Sequence, residues 1–341
     1  MLHWNTSHKI RGIAAPNSTH MFTVDSNVYI LFVSGSKGFD NLQMFVFKPE
    51  VGELQKIRRP LFDFDISVIH SIACSDGKVY IWLTPYDTGR KVLYSLNMET
   101  MKTEHIVNLS SVRDKIISTA ILGDMMYVLT GGSPWIRRND LIYVIDLKTE
   151  KVAENYVLQT PVLQDNEYRR YLLAKDNKLY IMYRSGDERI VAIVENKRTV
   201  ELNTDYCSPV EHRNVEVGNL WMDNSAFAKK SLIRRERCWT LDTFDFQELR
   251  WFSQNIDPLS FTSFDQPILA SLKLNGRIYA VFMNINLWST LEMRVMEIIP
   301  KLSLICQAKI NQLTMKDTTE VQNHKRVKSP IDLSWHADSD S

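Results

Sequence analysis

Cysteine is scarce in this 341-residue chain. Its four, Cys74, Cys207, Cys238 and Cys306, lie far apart and form no C-x-x-C pair. They read as free thiols in a reducing compartment. An excess of either charge is also lacking. Lysine and arginine number 41 against 40 aspartate and glutamate, a net charge of +1. That balance argues against a nucleic acid as direct ligand, since charge would have to hold it. No apolar run approaches the length of a membrane span, so no membrane role is expected. The opening MLHWNTSHKI has no apolar leader, which predicts a cytoplasmic protein, with the nucleus as a second compartment. On that expectation the glycosylation patterns Asn5-Thr6-Ser7, Asn17-Ser18-Thr19 and Asn108-Leu109-Ser110 are accidents. What remains is an ordinary globular composition, 44% hydrophobic and 24% charged.

What the chain does have is a repeat, clearest over 116–156. Ile117, Thr119 and Ile121 alternate with Ser118, Ala120 and Leu122, the period of a strand. Gly123-Asp124 turns the chain into Met125–Thr130. Leu141–Asp146 and Lys151–Val157 follow, with Leu147-Lys148-Thr149 between them. Four short antiparallel strands in such a span make one blade of a β-propeller. A tyrosine after the first turn marks the other units: Tyr29, Tyr80, Tyr127, Tyr180 and Tyr279. The gaps are 51, 47, 53 and 99, and the last is two periods, with Trp221 after Gly218-Asn219 filling the missing place. The third strand recurs in phase, for example at Phe45-Val46-Phe47 and Tyr143-Val144-Ile145. The expectation is an all-β, six-bladed propeller over 1–299. Its units fall around 20–57, 66–106, 116–157, 169–203, 210–253 and 267–299, with a short helical tail over 300–341.

Met1–Ile10 is strand-like and is expected to complete the last blade, which removes a free edge. Pro60, Pro85, Pro134, Pro161, Pro209 and Pro258 fit the connections. The basic run Lys229–Arg237 reads as a solvated loop or edge strand. In the tail, Leu302, Cys306 and Ile310 are spaced four and four, one apolar stripe of a helix that Pro300 can start. An apolar patch with Pro330, Leu333 and Trp335 follows a polar linker.

The blade pattern resembles kelch repeats. The whole chain resembles the kelch-domain-containing substrate receptors of cullin-2 ubiquitin ligases. The likeness is carried by Met1-Leu2-His3-Trp4, Val92-Leu93-Tyr94 with Met98-Glu99-Thr100, Asn139-Asp140-Leu141 with Asp146-Leu147-Lys148-Thr149, and the tail. Leu302-x-x-x-Cys306-x-x-x-Ile310 resembles the BC box that docks on elongins B and C, and Pro330-x-x-Leu333-x-Trp335 the cullin-2 box. The resemblance implies a non-catalytic receptor whose propeller face holds a target's C-terminal peptide. Arginines would pair with the terminal carboxylate, a task suited to a bidentate guanidinium. Arg169, Arg170, His212 and Arg213 are the residues nearest that role. His20 and His70-Ser71 match the family's His-Ser element. The chain departs from the pattern in having Gly-Gly only at 131–132 and Lys301 where the family carries a small residue or proline.

No metal and no cofactor are expected. The eight histidines show no i, i+2 or i, i+4 pair, and no G-x-S-x-G, P-loop or nucleotide glycine motif is present. The repeated tyrosines read as core. Two alternatives stay open: a kelch interaction scaffold without a ligase role, and a propeller enzyme whose site gathers distant residues at the axis.

Overall fold

The computed structural model describes residues 4–11, 16–34, 41–59, 61–109, 115–131, 141–158, 170–185, 188–202, 205–206, 216–222, 226–233, 236–246, 249–256, 268–275, 277–283 and 290–297. Their alternating patterns become strands. β1 (Trp4–Arg11) stands apart from its sequence neighbours. The first sheet is β2 (Pro16–Val24), β3 (Asn27–Ser34), β4 (Leu42–Lys48) and β5 (Glu53–Ile57), bonded in that order. The second is β6 (Ile66–Ser75), β7 (Lys78–Pro85), β8 (Val92–Asn97) and β9 (Lys102–Asn108). The third is β10 (Lys115–Leu122), β11 (Met125–Gly131), β12 (Leu141–Asp146) and β13 (Lys151–Val157). The fourth is β14 (Tyr171–Lys175), β15 (Lys178–Ser185), β16 (Glu188–Glu195) and β17 (Arg198–Glu201).

The fifth sheet opens with β18 (Asp205–Tyr206), which lies parallel to the sheet's last strand. Its meander is β19 (Glu216–Met222), β20 (Ala226–Ile233), β21 (Glu236–Asp245) and β22 (Arg250–Ile256). The last sheet is β23 (Ile268–Leu274), β24 (Arg277–Met283) and β25 (Thr290–Glu297), and β1 joins it antiparallel to β25. The first and last parts of the described chain therefore share one sheet.

First strands lie beside first strands. β2 packs on β6, β6 on β10, β10 on β14, β19 on β23, and β23 on β2. Successive up-and-down sheets with their first strands innermost make a β-propeller. No helix occurs among the described residues. Each hydrophobic core lies between two neighbouring sheets. Phe22, Val24, Leu31 and Val33 of the first face Ile66, Ile69, Val79 and Ile81 of the second. Tyr80, Trp82 and Leu93 of the second face Ile116, Met126, Val128 and Tyr143 of the third. Ile10 of β1 shares a core with Val28, Ile30, Tyr279 and Val281, so the joining strand is packed as well as paired. Of the repeated tyrosines, Tyr80, Tyr180 and Tyr279 are buried, and Tyr29 and Tyr127 are half-buried.

The turns follow local chemistry. Asp25-Ser26, Asp176-Asn177 and Asn196-Lys197 each supply two residues at positive φ, the twist a two-residue hairpin needs. Between third and fourth strands the chain uses a side-chain cap instead. Asn97 Oδ1 accepts from the Glu99 and Thr100 N–H groups, and Asp146 Oδ1 from those of Lys148 and Thr149. Each such turn ends on a left-handed residue, Met101 at φ 56° and Glu150 at φ 57°. A Cβ is unfavourable there, so Glu150→Gly is expected to raise stability by up to about 1 kcal/mol. Paired denaturant titrations of the two proteins check this, and an unchanged or lower midpoint contradicts it.

Three readings of the fifth unit are corrected. Trp221 does not take the tyrosine place. It lies on β19, a first strand, opposite Phe227 of β20. Gly218-Asn219 is not a turn either, because both residues pair with β20, opposite Lys230 and Lys229, and the register slips just before them, leaving Val217 as the extra residue of a bulge. Glycine signals both features, and the spacing alone did not separate them. The basic run is likewise no edge. Lys229–Ile233 belong to β20, which is paired on both sides, by β19 and β21, and Glu236 and Arg237 open β21. Pro85 closes β7 opposite Ile66 rather than sitting in a connection.

Candidate functional site

A bulge recurs at the start of the innermost strands. The register slips between Pro16 and Ser18 in β2, Ile66 and Val68 in β6, Ile116 and Ser118 in β10, and Ile268 and Ala270 in β23. With the slip in β19, five first strands share the device among the described residues. A bulge adds one residue and turns the following side chain. Ser18 and Ser118 stand just past it, and both reach the next sheet. Ser18 Oγ accepts from the Ile69 N–H at 3.5 Å, and Ser118 Oγ from the Leu172 N–H at 3.1 Å.

Further bonds close the same seams. His20 Nε2 donates to the Ile69 carbonyl at 2.9 Å. That bond fixes the tautomer, since a carbonyl only accepts, and leaves Nδ1 with its lone pair. Ser71 Oγ lies 2.8 Å from Thr119 Oγ1, joining the second sheet to the third. Buried Asn41 clamps Ile66 through both its amide atoms. Nδ2 donates to the Ile66 carbonyl and Oδ1 accepts from its N–H, while the Asn41 carbonyl accepts from Ser34. These side chains satisfy backbone groups that the sheets leave open. Thr19 Oγ1, by contrast, is buried without a partner among the described residues.

β6 carries a second bulge. Ile69 pairs with Leu83 and Ser71 with Trp82, so His70 is the extra residue. Its Nε2 sits 2.8 Å from Thr84 Oγ1. His20 and His70 are both half-buried, and burial holds both well below the usual imidazole range, each at about 4. For His20 the bond to Ile69 works in the opposite direction and is outweighed by burial. For His70 the charges of Lys91, His20 and Lys115 add to the desolvation. The inner seam is therefore lined by neutral imidazoles and hydroxyls, next to basic side chains.

Of the residues expected to hold a carboxylate, Arg170 lies at the entry to β14, half-buried and engaged with a partner. Arg169, His212 and Arg213 lie outside the described residues. So do Leu302, Cys306, Ile310, Pro330, Leu333 and Trp335. The structure brings together His20, His70 and Ser71, which the sequence marked, with Ser18, Thr84, Lys91, Lys115 and Thr119, which it did not. Among the described residues no three His, Cys, Asp or Glu side chains gather as metal ligands. Cys74 of β6 is a free thiol.

No family model and no curated protein matches this chain. Solved structures share its outline. The major Malassezia sympodialis allergen Mala s 1 aligns over 83% of this chain and 93% of its own, at 10% identity and TM-score 0.49. TolB from Acinetobacter baumannii covers 79% of this chain and 63% of its own, at 11% identity and TM-score 0.45. The β-propeller domain of the Trilobed protease from Pyrococcus furiosus covers 81% and 79%, at 10% identity and TM-score 0.41.

Proposed function

We propose that this chain is the non-catalytic substrate-recognition subunit of a cullin-2–elongin B/C ubiquitin ligase, built on a six-bladed kelch-type propeller. The observation that carries the reading is the tail. Leu302-x-x-x-Cys306-x-x-x-Ile310 begins five residues after β25 ends at Glu297, and Pro330-x-x-Leu333-x-Trp335 follows it. On a helix, Leu302, Cys306 and Ile310 form one stripe suited to an apolar groove. The propeller face then holds a target's C-terminal peptide, with Arg169, Arg170, His212 and Arg213 as the carboxylate partners, and the ligase supplies the chemistry. A second reading, an interaction scaffold that joins no ligase, is favoured by Lys301, a charged residue at the start of the stripe.

Immobilised elongin B/C is expected to retain the full-length protein and to lose the Leu302→Ser, Cys306→Ser double variant. Retention of both proteins, or of neither, moves the choice to the scaffold.

A further inference from the structure

Between β5 and β6 the chain reads Leu61-Phe62-Asp63-Phe64-Asp65, two aromatic rings on either side of a carboxylate. This segment is fastened to the second sheet at three points. Arg59 Nη1 donates to the Thr100 carbonyl at 3.0 Å, Thr103 Oγ1 to the Leu61 carbonyl at 3.0 Å, and the Tyr86 N–H to the Asp65 carbonyl at 3.0 Å. So held, it lays both rings against Tyr94 of β8. The ring centroids of Phe62–Phe64, Phe62–Tyr94 and Phe64–Tyr94 are 5.2, 5.2 and 5.6 Å apart, with planes at 50°, 82° and 42°. The three rings are walls rather than a stack, and His105 of β9 extends them at 5.6 Å from Tyr94. Phe62 is buried on the core, while Phe64 and Tyr94 are half-buried. The triad is therefore closed toward the core and open toward solvent.

Aromatic faces carry negative charge and attract cations. Asp63 adds a full charge. It is exposed, sits between two of the rings in sequence, and makes no hydrogen bond or ion pair among the described residues. Neighbouring cations are turned elsewhere. Arg59 is bonded to Thr100, and alternation puts Lys102 on the face of β9 opposite to Thr103 and His105. At the seam of the fourth and fifth sheets the chain fills a similar cluster itself. Tyr180 and Phe244 lie 5.0 and 4.8 Å from Phe246, and Lys175 Nζ stands 4.5 Å over the Phe246 ring. Among the described residues no lysine or arginine stands over Phe62, Phe64 or Tyr94.

We infer that Phe62, Phe64 and Tyr94, with the Asp63 carboxylate at their rim, form a binding site for a quaternary methylammonium group. The choice of cation follows from hydrogen bonding. A primary ammonium carries three donors, and each needs an acceptor once it leaves water. The rings offer none, and Asp63 is a single carboxylate. A trimethylammonium group has no donor to satisfy, and its methyls touch the rings while its charge meets their faces and Asp63. Such a group comes either on a small choline-type compound or on a trimethylated lysine side chain. The site uses neither the tail nor the candidate arginines, so failure of either reading leaves the other standing.

Choline is the probe, titrated against the full-length protein and followed by its N-methyl proton resonance. The signal is expected to move upfield, as aromatic ring currents require, and to saturate with a dissociation constant of about a millimolar. Ethanolamine, a primary ammonium, and neohexyl alcohol, the uncharged isostere of choline, are each expected to bind at least about fivefold more weakly. Phe64→Leu keeps an apolar side chain and removes a π-face, and Asp63→Asn removes only the charge. Both weaken choline binding several-fold with unchanged circular dichroism. A Gly-Ser hexapeptide carrying one trimethyl-lysine settles the source. Binding at least about tenfold tighter than choline assigns a peptide side chain, and any smaller gain assigns a free small compound. Absence of choline binding, or equal binding by both variants, overturns the site. Neohexyl alcohol or ethanolamine binding as tightly as choline overturns the assignment of a quaternary cation.

Discussion

Acidification from pH 6.5 to 4 is expected to strip this protein of up to about 3 kcal/mol of stability for each of His20 and His70. Both imidazoles titrate at about 4 in the fold, against 6.5 in the unfolded chain. Between those values the unfolded state binds more protons, so stability falls as pH falls. Above pH 6.5 both states are neutral, and these two groups contribute no slope. The cause is local. Protonating His20 puts a charge into the seam where its Nε2 already holds the Ile69 carbonyl, and protonating His70 adds a second charge beside Lys91 and Lys115. Chemical denaturation at a series of pH values gives the slope. In His20→Gln and His70→Gln the slope between pH 6.5 and 4 flattens by about one proton each. An unchanged slope in both variants contradicts the account.

The second large effect lies in the core. Trp82 is 0% exposed on β7 and fills the space between the second and third sheets, against Ile116, Met126, Val128 and Tyr143. Trp82→Ala removes the largest fully buried side chain among the described residues and leaves a cavity that two stiff sheets cannot close. The expected cost is about 3–5 kcal/mol. The indole Nε1 has no hydrogen-bond partner among the described residues. Trp82→Phe discards that unpaired donor together with some volume. It is therefore expected to cost less than half as much, because part of the lost packing is offset by the donor's removal. Thermal and denaturant midpoints of the two variants test the difference. A Trp82→Phe loss equal to that of Trp82→Ala means that volume alone decides the site.

The repeat was legible because a sheet face writes itself into sequence with period two, and because the Asp, Asn and Gly turns recur at nearly even spacing. Tyr29, Tyr80, Tyr127, Tyr180 and Tyr279 all fall on second strands, as their phase required. β1 sits beside β25, the place expected of the opening strand. Where a glycine interrupts a strand, pattern alone fails. Gly218 follows a bulge at Val217, and taking Gly218-Asn219 as a turn displaces Trp221 by one strand. The site was legible only in part. His20 and His70 lie one repeat apart, a signal that two imidazoles occupy matching places on neighbouring first strands. Ser18 and Ser118, two repeats apart, carried the same signal for the seam. The slip that turns His70 to Thr84, and the approach of Lys91 and Lys115 to it, depend on pairing between strands and have no signature in the order of residues. The carboxylate anchors rest on a family resemblance, and only Arg170 among them falls within the described chain.

The ligase-receptor role is tested most directly by the mass of the assembly in solution. Purified full-length protein mixed with elongin B/C and the cullin-2 amino-terminal domain is run on size exclusion with light scattering. The role predicts one species with the summed mass of one copy of each component, and its dissolution by Leu302→Ser with Cys306→Ser. Separate elution of this chain from intact elongin B/C contradicts it.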